Sequence, residues 1–558
     1  MKFKNPSILN VLTCISVCAF LSACVSCKSL GVEPEVYEPL DYTVENVVQE
    51  ELKRLEDIAQ KDPVKALWRA ALLEKNTAFN EEAVKACDFY AEKSVELYNA
   101  ALLQNNFNEA RRIYISLKSL DRSEISLLEF DENQLAEKER AKLPVLKTAS
   151  DSEDVKVAGM ISGTVTVYVD KGIKVENGMG YADAVLGSGF FITDNGYIIT
   201  NHHVIADCVD PSYEGYTRLY IKLAEDSDTR IPAVVVGWDP IMDLALLKAE
   251  IDSPYFFELG SSENLEAGDR VYAIGSPLGL ERTLTSGIIS STDRRLFTTG
   301  KVFQLDAAVN SGNSGGPMID EKGRVQAVVF ASVLTYQGLN FAIPVEYLKF
   351  DLPFLFEGGK RTQSWTGSFG KTKRLSSFGA KNEGVQLYYT MPGSPSDLAG
   401  LKENDTIVEV NGIKIESLDD LHNLYMQNLK GTVLKFKAVD EEGNEKQCAV
   451  YLDERTETPG YSIYRHDLAY NVLYPVLGMK LSPSSSTNKN MYTVTRVIKG
   501  SSAEENGFSE GDPVQLVSIT MNEDNTVMYV VLYAKKQKSG YIDLSIGIPV
   551  SMDSPYYF

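Results

Sequence analysis

Two adjacent histidines and a serine in a glycine-rich loop have the clearest potential for chemistry. The chain has only four histidines, and His202 and His203 stand together at the end of an apolar run in GYIITNHHVIAD. Ser314 lies in VNSGNSGGPMI, where glycines permit a tight turn whose amides converge on one point. A serine nucleophile needs a base, and the base needs an orienting carboxylate, for which WDPIMDLALLKAE offers Asp239 and Asp243. This set predicts acyl transfer; taken alone, the serine loop also fits a surface turn.

The elements around these residues predict strands in the middle of the chain and helices before it. From about residue 157, short apolar runs separated by glycine turns indicate an all-β barrel or sandwich, and the order His, Asp, Ser is that of chymotrypsin-type double barrels. Residues 40–120 have helical spacing, and AALLEKNTAFNEEA (70–83) is echoed by AALLQNNFNEA (100–110). This repeat resembles tetratricopeptide hairpins, and a plain helical bundle is the alternative.

Five motifs in order carry a family resemblance. GSGFFITDNGYIITNHHVI, DLALLK, AIGSPLGLERTLTSGIIS, DAAVNSGNSGGPMID and GLNFAIP together resemble the HtrA/Deg family of envelope serine proteases over residues 157–350. Two similar stretches downstream, 384–412 and 492–519, resemble the PDZ domains of that family. The resemblance implies a serine endopeptidase with His203 as base, Asp243 as orienting carboxylate and Ser314 as nucleophile.

The same resemblance implies roles for the neighbouring residues. The oxyanion hole would form from the amides of Gly312 and Ser314 with Asn313 between them, while Asp306 and Asn310 would support the loop. Because neighbours in an extended chain point to opposite sides, we expect His202 to face away from the cleft, and we expect Asp239 to be a turn residue. Ser311 and Ser276 replace the family's common proline and asparagine, and neither change removes a catalytic group.

A specificity pocket is predicted from the position of its floor, about six residues before the nucleophile in chymotrypsin-like barrels. That position is Ala308, and the strand VVFASV would contribute Val329, Phe330 and Ala331 to the wall. An apolar pocket without a carboxylate cannot pair a buried Lys or Arg. We therefore expect cleavage after Val, Ile, Ala or Leu.

Each PDZ-like stretch should contain a loop that captures the end of a peptide. In the first, the best match is Trp365, Thr366, Gly367 and Ser368, although the match is weak. In the second, Leu477, Gly478 and Met479 fit the expected pattern better.

The N-terminus predicts export and anchoring. A basic start, the apolar stretch 8–20 and the sequence Leu-Ser-Ala-Cys at 21–24 indicate a lipoprotein signal peptide that is cleaved before Cys24. Because Val25 is not the aspartate that retains lipoproteins in the inner membrane, we expect an outer-membrane lipoprotein that faces the periplasm. The inner membrane and the cell surface are the alternatives.

Charge and composition limit the partners. A net charge of −22 argues against nucleic acid, and four histidines with scattered cysteines argue against a metal site, so no cofactor is expected. We expect Cys87, Cys208 and Cys448 to be free thiols. The expected partners are unfolded or misfolded substrates, C-terminal peptides at the PDZ domains, the membrane through Cys24, and two further copies in a homotrimer, as is common in the family.

The predicted fold class is a multidomain chain with an all-β chymotrypsin-like double-barrel protease domain, an α-helical tetratricopeptide-like module before it and two PDZ-like α+β domains after it. The predicted segments are a signal peptide 1–23, a tether 24–39, a helical module 40–120, a linker 121–156, a protease domain 157–356, a first PDZ domain 365–455 and a second PDZ-like domain 460–558. The leading functional hypothesis is an envelope endopeptidase for misfolded proteins. The alternatives are a PDZ scaffold or chaperone, and a helical-repeat assembly platform in which proteolysis is secondary or absent.

Overall fold

The structure is a computed structural model. It describes residues 37, 40–77, 80–144, 146, 157–176, 178–226, 228–275, 283–296, 300–309, 312–332, 339–374, 382–484, 490–536 and 542–558. Cys24, the signal peptide, Ser276, Asn310 and Ser311 lie outside these residues. The described chain divides into one compact unit of residues 38–459 with 553–558, and a second that contains residues 460–552.

The first described segment of the chain is helical. Its helices are α1 (Glu45–Lys61), α2 (Pro63–Asn76), α3 (Asn80–Leu103), α4 (Phe107–Ser119) and α5 (Glu132–Arg140). Both copies of the sequence repeat span the end of one helix and the start of the next, which is why the same pattern recurs. Asp62 caps α2 and Asn106 caps α4 by accepting backbone N–H groups. Within the described residues, no helix is both long and apolar enough to cross a bilayer.

The protease region contains two closed six-stranded barrels. The first consists of β1 (Thr164–Glu176), β2 (Met179–Phe191), β3 (Tyr197–Thr200), β4 (Arg218–Lys222), β5 (Ile231–Asp239) and β6 (Leu244–Ala249), and it closes where β5 pairs with β6. The second consists of β7 (Arg270–Gly275), β8 (Thr283–Arg294), β9 (Val302–Leu305), β10 (Pro317–Ile319), β11 (Val325–Ser332) and β12 (Asn340–Pro344). Helix α6 (His202–Val209) follows β3, α7 (Val345–Glu357) follows β12, and β13 (Gly359–Lys360) pairs with β5.

The first PDZ-like module is built on an antiparallel sheet. Its elements are β14 (Ser364–Trp365), β15 (Ser368–Arg374), β16 (Asn382–Thr390), α8 (Pro395–Leu398), β17 (Thr406–Val410), β18 (Ile413–Lys414), α9 (Leu418–Met426), β19 (Val433–Val439), β20 (Glu445–Tyr451) and β21 (Asp453–Glu454). The sheet runs β15-β16-β17-β19-β20, and α9 packs its apolar face on it. Helices α2 to α4 share a hydrophobic core with β19 and β20.

The second PDZ-like module is a unit of its own. Its elements are α10 (Pro459–His466), α11 (Ala469–Leu477), β22 (Met479–Pro483), β23 (Met491–Val497), α12 (Ser502–Glu505), β24 (Pro513–Met521), β25 (Val527–Lys536) and β26 (Ile542–Ser551). The strands form one antiparallel sheet in sequence order. Each strand pairs with its neighbour in sequence, so the sheet is built from local contacts.

Two expected boundaries are wrong. Residues 121–156 were expected to be a linker, but a 3-10 turn (Ser123–Leu127) and α5 extend the helical module, since Leu135 is fully buried in its core. The second PDZ-like module was expected to run to residue 558, but 553–558 belong to the first unit, where the backbone of Ser368 pairs with Phe558. Local sequence patterns predict neither the packing of α5 on the other helices nor the pairing of 553–558 with the first unit.

The three described cysteines are free. Cys87 and Cys448 are buried and Cys208 is half-buried. Burial raises the pKa of all three thiols, and to about 11 at Cys448. The prediction that these three cysteines are free thiols is confirmed.

Candidate active site

Helix α6 carries both histidines at its first turn. It follows β3 directly, with Asn201 as N-cap, and its apolar residues Val204 and Ile205 anchor it on the first barrel. The expectation that His202 and His203 lie in extended chain and point to opposite sides is wrong. Helical neighbours differ by about 100°, so His202 is only rotated away from His203 and is half-buried.

His203 forms two hydrogen bonds with one carboxylate. Its Nδ1 lies 2.7 Å from Asp243 Oδ2, and its backbone N–H donates to Asp243 Oδ1 over 2.8 Å. Burial lowers the pKa of His203, but the hydrogen bond and the charge of Asp243 outweigh it and leave the pKa raised. With Nδ1 bound to the carboxylate, Nε2 is the nitrogen left to accept a proton.

The turn before β6 fixes the position of Asp243. Asp243 has a left-handed φ of 54°, which aspartate tolerates better than most residues, and its carbonyl accepts a hydrogen bond from Asn201 Nδ2 over 2.8 Å. Asp239, fully buried at the end of β5, accepts N–H groups of Ile241 and Met242 over 2.8 and 2.9 Å. Asp239 therefore closes the turn that presents Asp243 to α6.

A buried arginine supports the same turn. The Arg361 N–H donates to Trp238 O over 2.7 Å, and Arg361 Nε lies 3.7 Å from Asp239 and 2.8 Å from Asp351. Burial, and then the charge of Asp239, raise the pKa of Asp351 well above its ordinary value. The Arg361 side chain therefore brings a positive charge close to both buried carboxylates.

The loop of Ser314 packs against the strands that precede the histidines. Ser188 N–H donates to Ser314 O over 2.7 Å, and Ser188 Oγ donates to Gly312 O over 2.5 Å. Gly315 has a φ of 86°, and a Cβ built on it would lie 2.2 Å from Ser188 O and 3.0 Å from the Asn201 nitrogen. Only glycine allows this approach, which brings the serine loop to the start of α6.

The hydroxyl of Ser314 is not bonded to the histidine in this structure. Ser314 Oγ donates to Phe330 O over 3.4 Å, and no hydrogen bond joins it to His203 among the described residues. The amides of Gly312, Asn313 and Ser314 donate to no backbone oxygen in the described parts of the chain.

The residues predicted for a specificity pocket are only partly together. Val329 is fully buried, and its carbonyl accepts Gly315 N–H over 2.7 Å, so this strand lies behind the serine loop. Phe330 is half-buried beside Ser314. Ala308 is exposed, whereas a pocket floor should be enclosed. The backbone of Ala331 continues β11, and its side chain is outside the described atoms.

A cavity of about 890 Å³ opens beside Asp243. Its lining includes His202, Trp238, Phe330 and Lys360. Burial lowers the pKa of His202 more than the neighbouring carboxylates raise it, so this ring is neutral at pH 7. The cavity therefore lies directly beside the carboxylate that binds His203.

The two predicted PDZ loops make different contacts in the structure. Trp365 and Ser368 flank Thr366 and Gly367, and the loop bonds to the main chain of Phe558. Leu477, Gly478 and Met479 join α11 to β22, where Gly478 ends the helix with a φ of 85°. The loop that holds a peptide segment in this structure is therefore that of the first module, although its sequence matches the expected pattern less well.

Sequence reasoning missed the supporting residues. Ser188, Asn201 and Gly315 position the site, although each stands within a quoted motif, and Arg361 and Phe558 lie far from any motif. Their supporting role could not be recognised from the sequence, because their contacts form only when segments that are distant in the chain come together in the fold.

Comparisons with known proteins agree with this geometry. A profile of the trypsin-like peptidase domain matches residues 187–328, and a PDZ domain profile matches 388–434. The TP0546 family PDZ domain profile matches 460–552, and that of a domain of unknown function matches 46–139. A probable periplasmic serine endoprotease, DegP-like, from Marinomonas sp. (strain MWYL1) is 32% identical over 380 residues, which are 66% of this chain and 76% of that relative. The chain belongs to the HtrA/Deg family of serine endoproteases.

Other HtrA/Deg proteins are similar to this one. The DegP-like relative from Chlamydia trachomatis serovar D is 31% identical over 351 residues, or 60% of this chain and 67% of the relative. A solved structure, HtrA-type protease AlgW with decapeptide, has 23% identity and a TM-score of 0.45, covering 54% of this chain and 99% of that chain. The predicted serine endopeptidase, double barrel, N-terminal helical region and C-terminal PDZ domains are confirmed for this HtrA/Deg protease.

Proposed function

We propose that this HtrA/Deg endoprotease cleaves unfolded or misfolded proteins of the cell envelope through Ser314, His203 and Asp243. Ser314 Oγ attacks the scissile carbonyl while His203 Nε2 takes its proton, and His203 then returns that proton to the leaving amine. Water hydrolyses the acyl-enzyme on Ser314. The amides of Gly312 and Ser314, with Asn313 between them, receive the negative charge on the carbonyl oxygen.

The contact between His203 and Asp243 is the observation that carries this proposal. A carboxylate that accepts both the ring Nδ1–H, at 2.7 Å, and the backbone N–H, at 2.8 Å, fixes the tautomer and the ring plane together. That arrangement suits a general base and has no evident structural purpose at a half-exposed histidine.

A fluorophosphonate probe tests the reaction, because it labels only an activated serine. We expect labelling and digestion of unfolded casein by the intact chain, and neither by Ser314→Ala. A chain that folds but takes no label would contradict the proposed catalytic role and favour the scaffold hypothesis.

The proposed cleavage site follows a small or medium aliphatic residue. Phe330, half-buried beside Ser314, supports an apolar wall for such a pocket. Such residues are normally buried, so their exposure in an unfolded chain selects the substrate. Mapping the cuts in a digested unfolded protein tests this, and dominant cleavage after Lys or Arg would exclude it.

The proposed location is the periplasmic face of the outer membrane, with a lipid anchor on Cys24. The DegP-like relatives are described as probable periplasmic serine endoproteases, which supports the compartment. Mass spectrometry of the mature N-terminus should find acyl groups on Cys24, and Cys24→Ala should release soluble protein or precursor. An unmodified Cys24 in the mature chain would refute the anchor.

The proposed assembly is a homotrimer. Four large apolar side chains are exposed on one end of the β1–β2 hairpin, and they are Ile173 at 75%, Val175 at 68%, Met179 at 58% and Tyr181 at 49%. A cluster of this kind is typical of an association surface. Native mass spectrometry should give three copies, and Ile173→Glu with Val175→Glu should give one, while Val234→Glu on β5 should keep three. A monomeric parent chain would exclude the trimer.

A further inference from the structure

The segment Asp553–Phe558 lies along the edge strand β15 of the first PDZ-like module. Ser368 N–H donates to Phe558 O over 2.9 Å, and Phe558 N–H donates back to Ser368 O over 3.0 Å. Gly370 N–H donates to Tyr556 O over 3.1 Å, and Phe369 and Tyr557 form an antiparallel bridge. The segment therefore adds a strand to the sheet, as peptide ligands of PDZ domains do.

The loop before β15 holds the last main-chain oxygen of this segment. Phe558 O accepts a second hydrogen bond from Thr366 Oγ1 over 3.0 Å, and the Tyr425 hydroxyl on α9 donates to that Thr366 oxygen over 3.3 Å. Thr366 and Ser368 are fully buried. This is the place where a PDZ domain captures a peptide end.

The side chain of Phe558 fills an apolar pocket between the sheet and α9. It is 1% exposed, it belongs to the hydrophobic core of the module, and its ring centroid lies 6.4 Å from that of Tyr425. A Cβ on Gly370 would lie 2.4 Å from Gln386 O and 3.1 Å from the Phe558 ring, so glycine at this position accommodates both the neighbouring strand and the aromatic ring.

Further contacts fix the rest of the segment. The Tyr557 ring packs on Phe369 with centroids 5.3 Å apart, and Lys371 Nζ lies 4.5 Å from the Tyr556 ring centroid. At the other end, Asp553 forms an ion pair of 2.5 Å with Arg455, whose side chain is 2% exposed. These contacts use side chains as well as backbone, so the segment is bound specifically.

We propose that the chain's own segment Asp553–Phe558 occupies the peptide groove of the first PDZ-like module as an internal ligand, with the Phe558 side chain in its apolar pocket. The inference deepens the peptide-binding part of the proposed function and rests on it. An external peptide binds only by displacing this segment, which competes at an effective concentration on the order of millimolar.

Peptide binding to the full chain tests the proposal, with Ser314→Ala as background so that the probe is not cut. The probe is fluorescein-labelled Asp-Ser-Pro-Tyr-Tyr-Phe with a free carboxylate, measured by anisotropy. Phe558→Asp should lower its dissociation constant at least tenfold, because a charged side chain cannot enter the pocket. Tyr529→Asp, which changes an exposed aromatic residue on β25, should leave the constant unchanged. A probe that ends in Ala should bind at least tenfold more weakly than the Phe probe.

Hydrogen–deuterium exchange of the Ser314→Ala chain gives a second measurement that needs no change in the tail. Amides of 556–558 should be protected, and saturating probe should expose them while 368–370 stay protected. Tail amides that exchange freely without probe would overturn the internal ligand, as would equal affinity for the parent and Phe558→Asp chains. If neither the parent nor the Phe558→Asp chain binds the probe, the peptide-receptor role is overturned as well. Casein digestion by the chain with Ser314 intact would then show that the proteolytic part of the proposed function still stands.

Discussion

Asp243 acts through both its side chain and its backbone. The carboxylate accepts two hydrogen bonds from His203, while the left-handed backbone at a φ of 54° turns the chain from Asp239 into β6. Replacing Asp243 with asparagine keeps the turn and removes the charge. This substitution therefore separates the effect of the charge from that of the backbone.

Asp243→Asn should lower kcat/KM by about 10⁴-fold with the fold intact. The charge of Asp243 raises the pKa of His203, and His203 must be neutral to act as base, so activity rises with pH through that raised pKa. In the variant the residual activity should reach its plateau at lower pH. The pH profiles of kcat/KM for both proteins give this comparison, and an unshifted profile would contradict the assignment.

The two adjacent histidines should respond differently to the same change. His203→Ala should abolish proteolysis, with a loss of roughly 10⁴-fold or more, whereas His202→Ala should keep most of it because this ring only lines the cavity beside Asp243. Casein digestion by the two variants is the measurement. Equal losses, with circular dichroism unchanged, would mean that His202 takes part in catalysis.

These candidate residues could be identified from the sequence because their motifs are local. The backbone conformation predicted for the two histidines was wrong. TNHHVIAD begins with an extended residue and continues as a helix of eight residues, too short for a periodic pattern to appear. The exposed position of Ala308 was also unpredictable, since it depends on how the second barrel closes.

At the scale of elements, the serine loop depends on close packing against β2 and β3. Gly315→Ala would place a methyl group 2.2 Å from Ser188 O and 2.4 Å from Thr200 Oγ1, in a left-handed backbone. Activity should fall at least 100-fold through misplacement of the serine, because a displacement of about 1 Å costs that much. Gly412→Ala, also left-handed but in open space, is the control and should keep full activity.

Helix α9 carries a buried histidine that makes the fold sensitive to acid. His422 is 3% exposed, and burial, then Arg295, lower its pKa to about 3. The unfolded chain binds this proton below about pH 6.5 and the folded chain does not, so stability falls as the pH falls. From pH 7 to 5 the loss from this group is about 2 kcal/mol.

His422→Leu should remove this dependence. Urea unfolding at pH 7 and pH 5 should show a smaller difference in the free energy of unfolding for the variant than for the parent chain. An equal difference in both proteins would mean that other groups cause the acid sensitivity.

Across the whole first unit, the helical module and the first PDZ-like module share one core. The Trp68 ring stacks on Tyr451 with centroids 5.5 Å apart, and its Nε1–H donates to Ala449 O over 2.9 Å. Arg112 is buried between Asp62 and the carbonyl of Gly431, to which it donates over 2.8 Å. Removing residues 40–120 would therefore expose a hydrophobic face of the PDZ-like module.

Trp68→Ala should lower the free energy of unfolding by about 3–5 kcal/mol, as is usual for a large buried aromatic residue. The helices and the PDZ-like module should lose stability together, which hydrogen exchange of both segments would report. Loss of protection in the helices alone would contradict a shared core.

Sequence patterns predicted the barrels, the helices and both PDZ-like modules because each has its own local periodicity and turns. They could not predict the contact of α2 with β20, nor the pairing of Phe558 with Ser368, since these join residues hundreds of positions apart. Such contacts depend on complementary surfaces, for which a single sequence has no periodic pattern.

The return of residues 553–558 to the first unit makes the module 460–552 an insertion within another domain. Its two junctions are adjacent, because Gly460 N–H donates to Met552 O over 2.8 Å. Insertions with neighbouring ends are readily gained, lost or exchanged during evolution, since the host chain needs only a short loop to close the gap. The module 460–552 is thus an inserted domain that can be removed without breaking the domain around it. A chimera that joins Pro459 to Asp553 through a few glycines should keep its protease domain and its first PDZ-like module.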